Sequence, residues 1–228
     1  MNPILFNTDM TKAVLDGRKT VTRRIVKPQP PENARLELLG DKRHAMDLSI
    51  EIPGPDDRRI YTPPYLPGDI LYVRETWTKD VHGKYYFRAD FDSDYLDPCE
   101  TLSGGYPESC AYHPGCDGCE RGPQRIRWHP SIHMPKEAAR IFLRVTDVRV
   151  ERLQDITVAG LQQEGILPEG YLSQFAVMTS DCYERWKALW DSTVKPAVLS
   201  LYGWEANPYV WVIEFERISD TEEGTIKE

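Results

Sequence analysis

Gly17-Arg18-Lys19-Thr20-Val21-Thr22-Arg23-Arg24 is the stretch on which the reading of this chain turns. Upstream, Thr8 is a good N-cap and Met10, Ala13 and Val14 follow at helical spacing until Gly17 supplies a stop. From Thr20 to Val26 the sequence is β-branched and alternating, which predicts a strand. Thr20, Thr22, Arg24 and Val26 face one way; Val21, Arg23 and Ile25 face the other. The octapeptide holds four cations and no acid, with Lys27 just beyond. One reading is an exposed strand edge whose charges guard against edge pairing. The other places Lys19 at the mouth of a strand that presents Thr22 and Arg24 together. An ammonium, a hydroxyl and a guanidinium aimed at one ligand are suited to holding an anion or polarising a carbonyl.

This basic corner sits in an acidic chain. The 228 residues carry 28 Lys and Arg against 36 Asp and Glu, a formal charge of −8. A protein that grips a long nucleic acid with its whole surface needs a domain-wide basic field, so that class is excluded. Aromatic content of 11% is too high for a disordered chain. No run approaches the ~20 apolar residues of a membrane helix, and the N-terminus lacks a charged-then-apolar signal pattern. The expectation is a cytoplasmic globular protein with no membrane partner.

Working outward, residues 28–67 hold eight of the 18 prolines and little periodicity, an irregular insertion. Pro67-Gly68-Asp69 is a turn, and Ile70 to Glu75 a strand. Another strand is expected from Lys84 to Arg88. Residues 89–101 are acidic, and 89–135 read as a second insertion. Ala138 to Val150 resumes strand alternation. Asp155 caps a short helix ending at Glu164-Gly165. A helix over Asp181–Thr193 puts Tyr183, Trp186 and Trp190 at core spacing, with Cys182 a buried or idle thiol. The last strand runs from Tyr209 to Glu216, and 219–228 form an acidic flexible tail. Many strands with few long helices predict an α+β fold, a small β-barrel with helices at its rim.

Four of the five cysteines, Cys99, Cys110, Cys116 and Cys119, lie within 21 residues. A dense cluster in a chain without a signal pattern reads as a metal knuckle rather than a disulfide framework. Cys116-Asp117-Gly118-Cys119 has the favoured short spacing, with His113 inside the cluster. The expected cofactor is a closed, structural zinc that folds a Cys-rich insertion too small for its own core. His129 and His133 are four apart, but Pro130 and Pro135 forbid a regular helix, so they read as a loop rather than a metal pair.

Ile4-Leu5-Phe6 followed by Ala13 to Arg24 resembles the opening motif of the ASCH family, a branch of the PUA-like superfamily. Gly68 to Trp77 resembles its second-strand motif, Ala159 to Gly165 its helix ending in Glu-Gly, and Val210 to Phe215 its closing strand. The segment Trp128 to Pro135 is similar to that of the long phage and prophage members. The resemblance implies a single PUA-like barrel domain over 1–218, interrupted by the insertions at 28–67 and 89–135. It implies binding of RNA or a modified nucleoside and, by likeness to a small bacterial amidohydrolase of the family, hydrolysis of the amide of an N(4)-acylated cytidine. Carried over position by position, the catalytic residues are Lys19, Thr22 and Glu164, and Arg24 matches a family arginine.

In that reading Lys19, desolvated and near Arg24, is the base. Thr22 is the nucleophile or positions water, and Glu164 shuttles a proton to the leaving amine. Arg23, Arg24, Glu75 and Trp77 are the expected substrate-binding residues. Glu75 and Trp77, two apart, would set a carboxylate beside an aromatic platform for a base. Equally, Trp77 is core and Glu75 pairs with an arginine of the 18–24 stretch. A ribonuclease and a non-catalytic RNA-binding or phage accessory protein are the alternatives, since fold-level likeness cannot choose among them.

Overall fold

The computed structural model describes residues 1–31, 35–39, 47–51, 58–80, 82–96, 102, 124–166 and 178–218. Contacts divide the chain into two compact units: Met1–Asn2, Ala13–Leu71 and Phe142–Glu228 form the first, and Pro3–Lys12 with Tyr72–Ile141 the second.

The chain begins with β1 (Asn2–Leu5), α1 (Thr8–Leu15) and β2 (Val21–Ile25). Then come β3 (Arg35–Leu39), β4 (Asp47–Glu51), β5 (Arg58–Tyr61), β6 (Ile70–Arg74), β7 (Trp77–Lys79), β8 (Tyr85–Phe87), β9 (Tyr95–Leu96) and β10 (Gln124–Arg125). The last third holds β11 (Phe142–Arg152), α2 (Val158–Gln163), α3 (Met178–Thr193), α4 (Leu199–Tyr202) and β12 (Tyr209–Arg217).

In the first unit the strands run β6-β11-β12-β2. β11 and β12 pair antiparallel from Leu143↔Arg217 to Arg152↔Tyr209, with an irregularity between Val145 and Asp147. β12 pairs β2 antiparallel, Val210 opposite Ile25 and Glu214 opposite Val21. Val21, Val210 and Val212 pack with Leu153, Ile156 and Leu161 and with Trp186 and Trp190 of α3. The two indoles are four apart, hence on one helix face, with ring centroids 5.8 Å apart. Trp190 donates its Nε1–H to Tyr202 O at 2.8 Å, so its polar atom is satisfied as the ring is buried. α2 is capped by Thr157, whose Oγ1 accepts from Gly160 N at 3.1 Å, and not by Asp155. The stretch expected to be irregular, 28–67, carries an antiparallel meander, with β3 pairing β4 and β4 pairing β5.

In the second unit β1 lies beside β6, and Phe6 N donates to Arg74 O at 3.1 Å just past the strand. Asn7, not Thr8, caps α1: its Oδ1 accepts from Met10 N at 2.8 Å. β7 and β8 form a hairpin whose turn is built on Asp80. Asp80 Oδ1 accepts from His82 N at 2.9 Å and Lys84 N at 2.8 Å, and Gly83 takes φ +89°. β9 pairs β10 with Tyr95 opposite Arg125. Among the described residues of the acidic run, Asp90 pairs with Arg140 at 2.7 Å, Asp92 with Lys12 at 3.8 Å and Asp94 with Arg88 at 2.5 Å.

The expected PUA-like barrel is therefore corrected to an α+β fold with open sheets. Closure needs a continuous ladder in which the first and last strands also pair. Among the described residues β2 ends its sheet, and the short strands β7 to β10 satisfy one another in two-stranded pairs instead of extending the ladder. The zinc-knuckle insertion is set aside as well. No group of three or more His, Cys, Asp or Glu among the described residues is placed to hold a metal ion. Cys99, Cys110, Cys116 and Cys119, and His113, lie outside the described residues, as does the tail at 219–228. No helix among the described residues is long and apolar enough to cross a membrane.

Candidate functional site

Lys19 ends up inside the first unit because the chain on either side of it is pinned. Gly17, at φ +73°, turns the end of α1 back, and Lys19 N donates to Ala13 O at 2.9 Å. Lys19 then forms a single antiparallel bridge with Glu164, and Thr20 N donates to Gln163 O at 2.9 Å. The C-terminal end of α2 is thereby stitched to the residues that lead into β2.

Gly165 makes this approach possible. It sits at φ +79°, and a Cβ there would lie 2.7 Å from Ala13 Cβ and 3.1 Å from Lys19 Cβ. Gly160, one turn earlier, clears room for Arg23: an added Cβ would sit 3.3 Å from Arg23 Nη2.

The result is a buried ionic cluster. The Lys19 and Glu164 side chains are 0% and 2% exposed, and Lys19 Nζ meets Glu164 Oε2 at 2.6 Å. The same ammonium donates to Val21 O at 2.8 Å and Glu164 O at 3.1 Å, so its three protons each have an acceptor. Arg23 Nη1 donates to the other carboxylate oxygen, Glu164 Oε1, at 3.1 Å. Arg23 Nη2 reaches Glu151 Oε2 at 3.1 Å, and Glu151 Oε1 accepts from Arg149 Nε at 2.7 Å. Arg149 also pairs with Glu214 and Asp147. An alternating row of charge thus runs from α2 through β2 to β11 and β12, buried at Lys19 and half-exposed at Arg149.

Burial, the largest influence, pulls the Lys19 pKa below that of an ordinary lysine; the Glu164 charge and hydrogen bond oppose it, and Arg24 and Arg23 reinforce it. Arg24 is also lowered by desolvation, against the pull of Tyr65 and Glu164. The Lys–Glu contact at 2.6 Å is thus made between two desolvated side chains.

The sequence reading grouped Lys19 with Thr22 and Arg24. The structure joins Lys19 directly to Glu164 and Arg23. Arg24 acts on both Lys19 and Glu164 through its charge. Thr22, on β2, lies opposite Ile213 of β12, is 3% exposed, and its hydroxyl makes no hydrogen bond among the described residues. Arg23 Nε is likewise buried without a partner among the described residues. Glu151, which the sequence reading missed, anchors Arg23; it offers no local signal, being 128 residues away.

Glu75 and Trp77 belong to the second unit. Glu75 is 1% exposed and takes a bidentate grip from Arg140, Nε to Oε1 at 2.9 Å and Nη2 to Oε2 at 3.0 Å. Its partner is therefore Arg140, not an arginine of 18–24. Burial raises the Glu75 pKa above the ordinary carboxylate value despite Arg140. Trp77 bridges His129 through two backbone hydrogen bonds, N to O at 3.1 Å and back at 2.7 Å. Its ring lies 5.0 Å from that of His129 and 5.6 Å from that of Tyr85.

Beside the cluster in the first unit is a groove of ≈ 400 Å³ lined by Asp16, Gly17, Arg18, Thr20, Gln162 and Gln163, with Ala159. These are the outward-facing neighbours of Lys19 and Glu164. Arg18 is occupied there, donating to Asp16 Oδ2 at 2.8 Å and to Gly165 O at 3.0 Å.

No family model matches this chain, and neither the curated proteins nor the solved structures yield a match.

Proposed function

We propose that this chain is an ASCH-type, cytoplasmic hydrolase that cleaves the amide of an N(4)-acylated cytidine, as the free nucleoside or within a short RNA. The observation that carries the reading is the desolvated 2.6 Å contact between Lys19 and Glu164, backed by Arg23, on a strand that also holds the unpartnered Thr22 hydroxyl. The motif resemblance picks out the same lysine, threonine and glutamate.

In the proposed reaction Glu164 takes a proton from the Lys19 ammonium and leaves a neutral amine. That amine removes a proton from a water that Thr22 helps to position, and the water oxygen attacks the acyl carbon. Glu164 returns its proton to the exocyclic nitrogen as the C–N bond breaks, so cytidine leaves as the neutral amine. The acyl group leaves as the carboxylic acid. The Arg23 guanidinium holds the Glu164 carboxyl in place while it changes charge.

Incubation with N(4)-acetylcytidine, followed chromatographically for cytidine, tests this. Wild type is expected to release cytidine, while Lys19→Ala and Thr22→Val, each checked for a wild-type circular dichroism spectrum, release none. Absence of turnover by folded wild type would leave a binding role only. Turnover retained in folded Lys19→Ala would remove Lys19 as base.

A further inference from the structure

The second unit carries a surface that the ionic cluster does not explain. From Arg125 burial alternates along the chain: Arg125 exposed, Ile126 buried, Arg127 exposed, Trp128 half-buried, His129 exposed. Arg125, Arg127 and His129 therefore form one row. Tyr95, 53% exposed, stands directly opposite Arg125 and extends the row at one end.

At the other end His129 joins an aromatic run. Its ring lies against Trp77, and Trp77 lies against Tyr85. Lys79, opposite Tyr85 in the hairpin, sets its ammonium 4.6 Å from that ring. Glu137 Oε1 accepts from Tyr85 Oη at 3.2 Å and so fixes the phenol.

Among the described residues the aspartates nearby are already paired, and Glu137 stands at the Tyr85 end without a cation. Asp94, next to Tyr95, belongs to the opposite side by alternation and is paired with Arg88. Asp90 and Asp92 are held by Arg140 and Lys12. Arg125 and Arg127 have no ion pair or hydrogen bond among the described residues.

We propose that this row binds single-stranded nucleic acid. The two exposed arginines meet phosphates, and the rings of Tyr95 at one end and His129 at the other accept unstacked bases, which a duplex does not offer. An acidic peptide would use the cations but has no need of the rings. The inference is independent of the amide chemistry: it requires neither Lys19 nor an acylated base.

The test is fluorescence anisotropy of the full chain with a labelled 12-nucleotide single strand, in RNA and DNA forms, between 50 and 300 mM salt. Single strands are expected to bind in preference to the matching duplex. Arg125→Ala/Arg127→Ala, two exposed positions, should reduce the slope of log K against log salt by about 1.4, at about 0.7 per phosphate contact on single strands. Tyr85→Ala should weaken binding about fivefold or more through lost stacking. Arg125→Ala/Arg127→Ala should release cytidine from free N(4)-acetylcytidine as wild type does, which separates failure here from failure of the hydrolase reading. Better binding by RNA than by DNA assigns a 2′-hydroxyl contact, and equal binding assigns a surface blind to the sugar. Any of three results overturns the proposal: no binding at 50 mM salt, an unchanged slope in the double variant, or equal competition by poly-glutamate.

Discussion

Replacing Glu164 with leucine leaves the Lys19 ammonium and the Arg23 guanidinium in the first unit without their shared carboxylate. All three side chains are at most 2% exposed, so solvent offers no compensation. Removing one member of a buried ion pair costs about 3–5 kcal/mol, most of it from the stranded charge. At roughly 2–4 °C per kcal/mol for a chain of this size, the melting temperature should fall by about 6–20 °C. Lys19→Met should cost less, because Glu164 keeps Arg23. The double variant removes both ends of the contact, and Arg23 still has Glu151. Its cost should therefore undercut the sum of the singles by about 2 kcal/mol, within the usual range for contacting residues. Urea unfolding followed by tryptophan fluorescence measures all three. Additivity within about 0.5 kcal/mol, or a Glu164→Leu cost below about 1 kcal/mol, would refute the buried pair as drawn.

Other consequences can be checked on the same instrument. Because burial lowers the Lys19 pKa, the unfolded chain binds the extra proton between the folded value and 10.5, so this residue makes stability rise with pH in that window; Lys19→Met should flatten the rise. Glu75 behaves oppositely. Its raised pKa means the folded state binds the extra proton above 4.5, stability falls as pH climbs through that window, and Glu75→Gln should remove this slope in urea midpoints. Arg140→Ala leaves Glu75 buried without its bidentate partner and should cost about 3–5 kcal/mol at pH 7, less in acid; an equal loss at both pH values would contradict the account. Gly165→Ala combines a left-handed backbone with a 2.7 Å contact to Ala13 Cβ. It should cost roughly 2–4 kcal/mol in urea unfolding, from about 1–2 for the conformation and the rest from the clash. A cost near zero would mean that the bridge between Lys19 and Glu164 is loose.

The local elements were legible where periodicity was strong. The helix with Trp186 and Trp190 on one face and the strands around β11 and β12 follow from spacing and alternation, with ends shifted by a few residues. The meander over 35–61 was missed because prolines and short apolar runs hide a backbone pairing set by register. Closure of the sheet was misjudged for a related reason: strand count says nothing about whether the outermost strands meet. In the site, Lys19 and Glu164 were chosen from motif residues, yet Lys19 was grouped with the even-numbered Thr22 and Arg24. Parity alone puts Lys19, Val21 and Arg23 on one side, and that is the side facing Glu164. Glu75 shows the limit. It falls between β6 and β7, so alternation does not govern it, and its partner Arg140 lies 65 residues away with no local trace.

The alternating row from Lys19 to Arg149 behaves as a domino line whose far end stands in water. Each member holds its neighbour in place by opposite charge, so loosening one link tightens the next and loosens the one after. Neutralising Glu151 at the rim would leave Arg23 leaning more fully on Glu164, and Glu164 would lean correspondingly less on Lys19. Acid and salt reach the rim first, where Glu151 and Arg149 are 26% and 38% exposed. A change in the surrounding medium thus reaches, link by link, a lysine that the medium itself never touches.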